Sequence, residues 1–563
     1  MRFLVVTEKC NPAVELRDGG ARLVTSLRRS FGDDLDVMHF DEGDASSAGD
    51  ARWRNRYEPE AGDRFERRLA RAGFIADRIH QVVHHYTHVL FVHVSMAFGL
   101  ARRPLTGVET CMFPMFLTPS YVASGECVPA AYTAMERAAL TMMDRVLTPS
   151  HLERHQIVDF YGLPPGRVRV VPRGVDRELM SPRVRELHGP PVFCSVGSIK
   201  RQKNTVGLVR IFAAIQRRLP EARLHVIGPV QDAAYAIEVE QEVERLGLGR
   251  AIEWSGHVAP LDMPAALDEC HVHLSASTCE TFGRAMFETL ASGLPNVIPL
   301  AQNAAAEHLV GTPYTFFYDD LAGVHTAVDQ VLSGYSLWSA LALEIGEIFN
   351  DDLLGGLLRA EICKTDILAV SDYDGTLYHK DDPERTRRCV AAFERYSHRV
   401  ICSARPLPDL LQAMSGLSLT AHHVIGWSGA VVADGQGRTL WRSPLSAAEL
   451  QSLAAGLPSA ATPVVADGEA LQFALAGIDV AVPPGMRVET YQGTTYFSRW
   501  DNSKLHAVHR LLRHLRWGGR VRSFGDGRHD TPLLSYFDGI RIRPRGSVLD
   551  CIRMAEEIVY DPS

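Results

Sequence analysis

Short runs of β-branched and large aliphatic residues alternate with amphipathic stretches along nearly the whole chain, a pattern that predicts parallel sheets covered by helices on both faces. In a first block, from Met1 to about Asp176, Phe3 to Thr7 and Val89 to Val94 are the clearest strands. The stretch from Asp41 to about Gly62 is polar and poorly periodic and reads as an insertion or loop. A second block follows Ser181-Pro182. Its strands are Val192 to Gly197, Leu224 to Gly228, Ile252 to Gly256, Val272 to Ser275 and Asn296 to Leu300, with helices between them. The helix joining the first two carries Leu208, Ile211, Phe212, Ile215 and Leu219 on one stripe and stops at Pro220. Residues 335–364 are helical in pattern, and a third α/β block opens with the strand Ile367 to Ser371.

These boundaries predict an α/β protein: two tandem Rossmann-like domains at 1–178 and 179–345, a connecting helical segment at 346–365, and a third Rossmann-like domain at 366–563 with an inserted α/β cap at about 430–500. Tandem doubly wound units leave a crevice at the C-terminal ends of their strands, where ligands bind.

Composition removes several classes of function. With 46% hydrophobic and 22% charged residues the chain is ordinary globular protein rather than disordered or fibrous. A net charge of -8 without a long basic run argues against nucleic acid. The ten cysteines form no C-x-x-C pair, so neither a zinc ribbon nor a disulfide framework is expected. No run of 18 apolar residues suggests a membrane span, and the expected location is cytoplasmic. The cluster His84-His85-Tyr-Thr-His88 reads as a helix end, where the dipole favours cations, and not as a metal site.

In the third block the first strand runs into Asp372-Tyr-Asp374-Gly375-Thr376. One carboxylate at a strand tip can attack phosphorus while a second, two residues on, manages the proton. Ser403 ends another strand and can hydrogen-bond a phosphoryl oxygen; Lys504 opens an amphipathic helix, where its ammonium can neutralise developing charge. Asp526 and Asp530 follow a short β run at i, i+4 and supply the hard oxygen ligands magnesium takes.

The second block carries Cys279-Glu280-Thr281-Phe282-Gly283 at a strand end, leading into a helix that holds Glu288. A loop turning into a helix N-terminus offers backbone N–H groups and partial positive charge to a pyrophosphate. A second station, Gly197-Ser198-Ile-Lys200-Arg201-Gln-Lys203, adds cations that offset a diphosphate without metal.

From about Asp366 onward the four stations resemble the haloacid dehalogenase superfamily. The resemblance implies Asp372 as nucleophile, Asp374 as general acid/base, Ser403 and Lys504 as phosphoryl holders, and Mg2+ held by Asp372, Asp374, Asp526 and Asp530. His529 stands where such phosphatases usually carry asparagine. Residues 1 to about 345 resemble retaining glycosyltransferases of GT-B fold, the group that includes sucrose-phosphate synthases. This implies a nucleoside diphosphate sugar as donor, with Glu280 on the sugar hydroxyls, Thr281, Phe282 and Gly283 at the phosphates, Glu288 on the ribose and Lys203 on the diphosphate. It also matches Asp18-Gly19-Gly20 to the glycine pair near the donor phosphate and His93 to a histidine beside the sugar. Ser198 stands where the family carries a phosphate-clamping arginine, a gap that Lys200 or Arg201 can fill. Arg22, Arg167, Arg169 and Arg173 are the expected partners of a phosphate on the acceptor.

The leading expectation is sequential chemistry, in which transfer to a phosphorylated acceptor is followed by removal of that phosphate. Two alternatives stay open: a hydrolase-like block that only binds a sugar phosphate as a regulatory module, and a phosphatase acting on an unrelated metabolite.

Overall fold

The computed structural model describes residues 1–8, 19–41, 51–57, 62–476, 485–491, 494–542, 552–558 and 560–561. The chain divides into two compact units, Met1–Ile362 and Cys363–Ser563.

The first unit holds two parallel sheets. The N-terminal one is built from β1 (Phe3–Thr7), β2 (Leu35–Asp41), β3 (Trp53–Arg56), β4 (His88–Val92), β5 (Glu109–Phe113), β6 (Arg145–Thr148) and β7 (Val168–Val170), in the order β3-β2-β1-β4-β5-β6-β7. The apolar runs of β1 and β4 are buried along their full length, as a sheet covered on both faces requires. Helices α1 (Gly19–Phe31) and α2 (Arg64–Ala70) follow β1 and β3. The stretch expected as a loop after Asp41 contains β3, an edge strand parallel to β2 whose alternating exposure hid it among polar residues. The three histidines near residue 85 divide: His84 and His85 close a helical turn, while His88 is buried in β4 against Phe3.

The second sheet has the order β10-β9-β8-β11-β12-β13, with β8 (Val192–Val196), β9 (Arg223–Ile227), β10 (Ile252–Gly256), β11 (Val272–Leu274), β12 (Asn296–Pro299) and β13 (Thr315–Tyr318). Helix α3 (Thr205–Arg218) buries Leu208, Ile211, Phe212 and Ile215 on the expected stripe, and α4 (Arg284–Ala291) follows β11. The segment 346–365, expected as a connection, carries α5 (Asp351–Cys363), which packs back on the N-terminal half rather than bridging open space. Ser26 Oγ donates to the Asp351 carboxylate at 2.8 Å, Arg359 donates to the Ser30 carbonyl, and Arg145 pairs with Glu361.

The second unit has an eight-stranded sheet in the order β18-β17-β16-β15-β14-β23-β24-β25. Its strands are β14 (Ile367–Asp372), β15 (His398–Cys402), β16 (His423–Gly426), β17 (Val431–Asp434) and β18 (Thr439–Arg442), then β23 (Arg520–Gly525), β24 (Ile540–Ile542) and β25 (Arg553–Ala555). Between β18 and β23 lies an insertion of helix α6 (Ala447–Gly456) and a four-stranded antiparallel sheet, β19 (Thr462–Ala466), β20 (Glu469–Ala476), β21 (Met486–Tyr491) and β22 (Thr494–Arg499). The cap expected from about residue 430 thus begins later, because β17 and β18 extend the main sheet, β17 antiparallel to β16 and β18 antiparallel to β17. Helix α7 (Lys504–Leu515) returns the chain to β23, its first turn capped by Ser503.

Candidate functional site

In the donor half, the loop after β11 reaches Gly283, which caps α4 with φ +79°, a conformation that favours glycine. A Cβ there would also meet Met286 and Ala305 at 3.1 and 3.2 Å. Opposite, the loop after β8 lies so near the one after β9 that a Cβ on Gly228 would come within 2.0 Å of the Gly197 carbonyl oxygen. These two tight approaches shape a cleft of about 690 Å³ lined by Gly197, Lys200, Lys203, Glu280, Gly283 and Glu288 from this half, and by Gly19, Arg22 and Arg173 from the N-terminal half.

Glu280 is buried and accepts a hydrogen bond from Lys203 Nζ at 2.5 Å. Burial pushes its carboxyl up, but the Lys203 ammonium, the Ser277 hydroxyl and the more distant Lys200 together hold it below the ordinary carboxylate range. Of the two cations expected to stand in near Ser198, Lys200 lines the cleft, whereas Arg201 turns outward to Glu238 and lies over Tyr235. Glu288 pairs with Arg284 Nε at 3.2 Å and with Arg22 across the cleft. Thr281 and Phe282 also line the cleft, although the Phe282 ring is buried, stacked on Phe287 at 4.5 Å and facing Phe349.

In the N-terminal half Gly19 lines the cleft and Gly20 is buried within α1; Asp18 lies outside the described residues. His93 follows β4 with φ +83°, and its Nδ1 accepts from the Ser95 backbone N–H at 3.1 Å. Burial, then Arg68, Arg71 and Arg64, hold its imidazole well below the ordinary histidine value, so the ring is neutral. Among the four arginines expected at an acceptor phosphate, Arg22 and Arg173 line the cleft. Arg167 and Arg169 do not: Arg167 donates to the Thr141 carbonyl at 2.9 Å, and Arg169 is buried inside β7. Arg167 lies in the turn that enters β7 and Arg169 inside the strand, whereas Arg173 follows its C-terminal end, where the crevice opens.

The second unit gathers its acids at the C-terminal ends of β14 and β23. Asp372, Asp526 and Asp530 place carboxylate oxygens within 4.8 Å of one another. Lys504 Nζ donates to Asp372 Oδ1 and to Asp530 Oδ1, each at 2.7 Å. Gly375, at φ +73°, permits the approach: a Cβ on it would lie 2.0 Å from Asp526 Oδ2. Burial, followed by the neighbouring Asp530 carboxylate, raises Asp526; burial raises Asp372 well above the carboxylate range, with Lys504 opposing and Asp530 and Asp526 reinforcing. Crowded, partly buried oxygens of this kind suit a divalent cation, which relieves the repulsion. Asp374, expected among the metal ligands, stands outside this trio. Its carboxylate is held by Arg405 in a two-pronged pair at 2.5 and 2.7 Å. Ser403 is buried beside it, its Oγ accepting from the Arg405 backbone N–H at 3.2 Å.

Four residues of this unit escape a reading by motif. Arg405, two residues beyond Ser403, holds the Asp374 carboxylate. Ser428, in the left-handed region at φ +55°, donates to Glu489 of β21, and Arg487 donates to the same glutamate at 2.9 Å, which ties the inserted sheet to the core. Nothing in the spacing announces these contacts, because the partners are 61 residues apart or lie on a strand of ordinary polarity.

Comparison with known proteins agrees with both halves of this geometry. Residues 19–179 match glycosyltransferase family 4, residues 176–305 match the glycosyl transferases group 1 family, and residues 369–466 match haloacid dehalogenase-like hydrolases. Alpha-monoglucosyldiacylglycerol synthase of Streptococcus pneumoniae is 26% identical over 46% of this chain and 64% of its own length. Mannosylfructose-phosphate synthase of Agrobacterium fabrum is 26% identical over 28% of this chain and 38% of its own. The chain therefore spans less than two thirds of either relative. In fold, sucrose-phosphate synthase from Thermosynechococcus elongatus superposes with a TM-score of 0.54 at 17% identity, covering 65% of this chain and 98% of the other. Among the described residues no helix is long and apolar enough to cross a membrane.

Proposed function

We propose that this chain, a GT-B glycosyltransferase joined to a haloacid dehalogenase-like hydrolase, transfers a sugar with retention of configuration from a nucleoside diphosphate sugar to a phosphorylated acceptor and then removes the acceptor's phosphate. The observation that carries the reading is the pairing in one chain of two different centres: lysines and a helix N-terminus in the first unit, with no group of acids close enough to share a metal among the described residues there, and a lysine-bridged acid trio in the second. The first suits a leaving diphosphate and the second a monoester.

In the transferase, Lys203 and Lys200 offset the diphosphate charge while α4 turns its N-terminal end, with its partial positive charge, to the cleft. Glu280 keeps its charge in a buried setting and accepts hydrogen bonds from sugar hydroxyls, and Glu288 accepts from the ribose once Arg22 releases it. In the hydrolase, Asp372 attacks phosphorus and forms an aspartyl-phosphate as the ester bond to the sugar breaks. Asp374, held by Arg405, gives its proton to the departing oxygen and then takes one from the water that cleaves the acyl phosphate. Ser403 and Lys504 hold phosphoryl oxygens. Asp372, Asp526 and Asp530 would hold magnesium, which when bound neutralises charge on the phosphoryl group. Hydrolysis makes the preceding transfer effectively irreversible. The relative named for a mannosylfructose-phosphate product supports a phosphorylated acceptor, and the free cysteines among the described residues suit a reducing cytoplasm.

Replacing Asp372 by asparagine tests the sequence. The variant is expected to consume donor at the wild-type rate and accumulate a phosphorylated glycoside, read by mass; an unchanged yield of free glycoside refutes the coupling. Magnesium-dependent phosphate release from p-nitrophenyl phosphate by wild type, absent in the variant, would exclude a purely regulatory hydrolase block.

A further inference from the structure

The order of the N-terminal sheet reverses at β1, which has β2 on one side and β4 on the other, and a doubly wound sheet opens its ligand crevice at such a point. Glu8 follows β1 there and His93 follows β4. Helix α2 brings Arg64, Arg68 and Arg71 to the same place, at i, i+4 and i+7 along one face. Arg71, 3% exposed, pairs with Glu8, and Arg68 Nε lies 3.7 Å from the same carboxylate oxygen. Ser95 Oγ also donates to it, at 3.4 Å. Arg68 Nη1 donates to the hydroxyls of Tyr121 and Tyr132 at 3.3 Å, which leaves each phenol its own O–H to give. Arg64 lies over the Tyr121 ring at 4.7 Å and pairs with the exposed Glu126.

Two side-chain carboxylates thus directly face three guanidinium groups; buried Glu136, also within electrostatic reach of Arg68, is engaged by Thr118 and Tyr161. Burying a guanidinium beside another is costly unless an anion compensates both. The Glu8 carboxylate shows what this place accepts: an anion reached by Arg68, Arg71 and a serine hydroxyl at once. A phosphate monoester carries more charge and more acceptor oxygens than a carboxylate, and arginines bind it by the same forked geometry.

We infer that the crevice at the ends of β1 and β4 is a phosphate-monoester site, in which Arg64, Arg68 and Arg71 grip the acceptor's phosphate after displacing Glu8. This rests on the reading of the chain as a transferase to a phosphorylated acceptor, and it moves that phosphate from Arg167 and Arg169 to α2. Glu8 then acts as an internal competitor that keeps the arginines compensated until substrate arrives.

Tungstate, a tetrahedral dianion located by the anomalous scattering of tungsten, is the probe, soaked into crystals of the full chain. Tungsten is expected against Arg68 and Arg71 in wild type, at greater occupancy in Glu8→Gln and absent in Arg68→Gln, while tungsten at Lys203 and at Lys504 stays constant and serves as the internal reference. A gain in Glu8→Gln cannot come from misfolding. Tungsten at the two reference centres with none at Arg68 in both wild type and Glu8→Gln overturns the inference. The product of Asp372→Asn is a separate measurement. Tungsten at α2 with no phosphorylated glycoside formed keeps the site and refutes the proposed reaction; a phosphorylated glycoside with no tungsten at α2 does the reverse.

Discussion

In the proposed mechanism the Lys203–Glu280 pair performs two tasks that mutation can separate. At 2.5 Å and an effective dielectric constant of about 20, the gross attraction is about 7 kcal/mol, most of which desolvation cancels. Breaking a fully buried pair from one side costs about 3–5 kcal/mol because a charge is left uncompensated. Glu280 is 9% exposed in its side chain but Lys203 is 24% exposed, so water takes up part of the loss and about 2–3 kcal/mol is expected for Lys203→Met. Removing one ammonium from the diphosphate site forfeits a charge-assisted contact worth about 1.5–3 kcal/mol, which is roughly a 10- to 150-fold loss in donor affinity. The double variant Lys203→Met with Glu280→Gln relieves the stranded charge. It is expected to regain most of the stability while transfer stays impaired. Thermal unfolding measures the first effect, and donor kinetics with a saturating acceptor measure the second. Phosphate release from a simple ester, performed by a separate unit, is expected to be unchanged. Recovery of both stability and transfer in the double variant would refute a diphosphate role for Lys203, and no stability loss in the single variant would refute the electrostatic account.

Two further outcomes follow from contacts at other positions. Gly375→Ala places a Cβ 2.0 Å from Asp526 Oδ2 at a φ of +73°, so phosphatase kcat/KM is expected to fall by about 100-fold or more, measured on p-nitrophenyl phosphate, with transfer intact. His308, buried among Phe282, Phe287 and Phe349, is depressed to about 3, by burial first and then by His151. Its folded value lies below the unfolded value of about 6.5, so the unfolded chain takes the proton first and stability is lost as pH falls from about 6.5 toward 3. This amounts to about 2 kcal/mol by pH 5, and His308→Phe is expected to flatten that part of the thermal-midpoint profile.

The strands that frame the chemistry were legible because β1, β4, β8 and β14 are short apolar runs ending in polar or glycine-rich turns, and burial on both faces demands such runs. The acid trio was legible for the same reason: each acid sits at or just beyond a strand end, so that local pattern fixes its place. Three features were not. β3 lies on a sheet edge and shows half-exposed polar residues in place of an apolar run. Helix α5 has the pattern of any amphipathic helix, and it is contacts with Ser26, Ser30 and Arg145, some 216 to 329 residues distant in sequence, that attach it to the N-terminal half. The arginines of α2 were the costliest omission. Their i, i+4, i+7 spacing was visible, but basic residues on a short helix usually face water, as Arg64 largely does, and it takes Glu8 from another strand end to hold Arg68 and Arg71 inward.

The three sheets share one arrangement, and it accounts for where the phosphate chemistry lies. In each, the first strand in the chain is flanked by the next strand on one side and by a much later one on the other: β1 between β2 and β4, β8 between β9 and β11, β14 between β15 and β23. Connections that leave such a strand pair for opposite faces of a sheet open a crevice above the pair. Gly197 and Glu280 meet above β8 and β11, Asp372 and Asp526 above β14 and β23, and Glu8 and His93 above β1 and β4. Residues 132 apart in sequence, such as Asp372 and Lys504, become neighbours because the return to β23 is delayed, and the delay leaves room for the inserted sheet over that centre. What differs between the three places is the side chains that fill the opening. On the proposed reading, lysines with no metal-sharing acid group among the described residues favour holding a diphosphate as it leaves, three acids around one lysine favour metal-assisted attack on a monoester, and two arginines around one displaceable carboxylate, with Arg64 beside them, favour gripping a monoester that is to remain intact. The same monoester satisfies the last two, first as the handle of an acceptor and then as the group to be cleaved, which is the order of events that a transferase followed by a phosphatase requires.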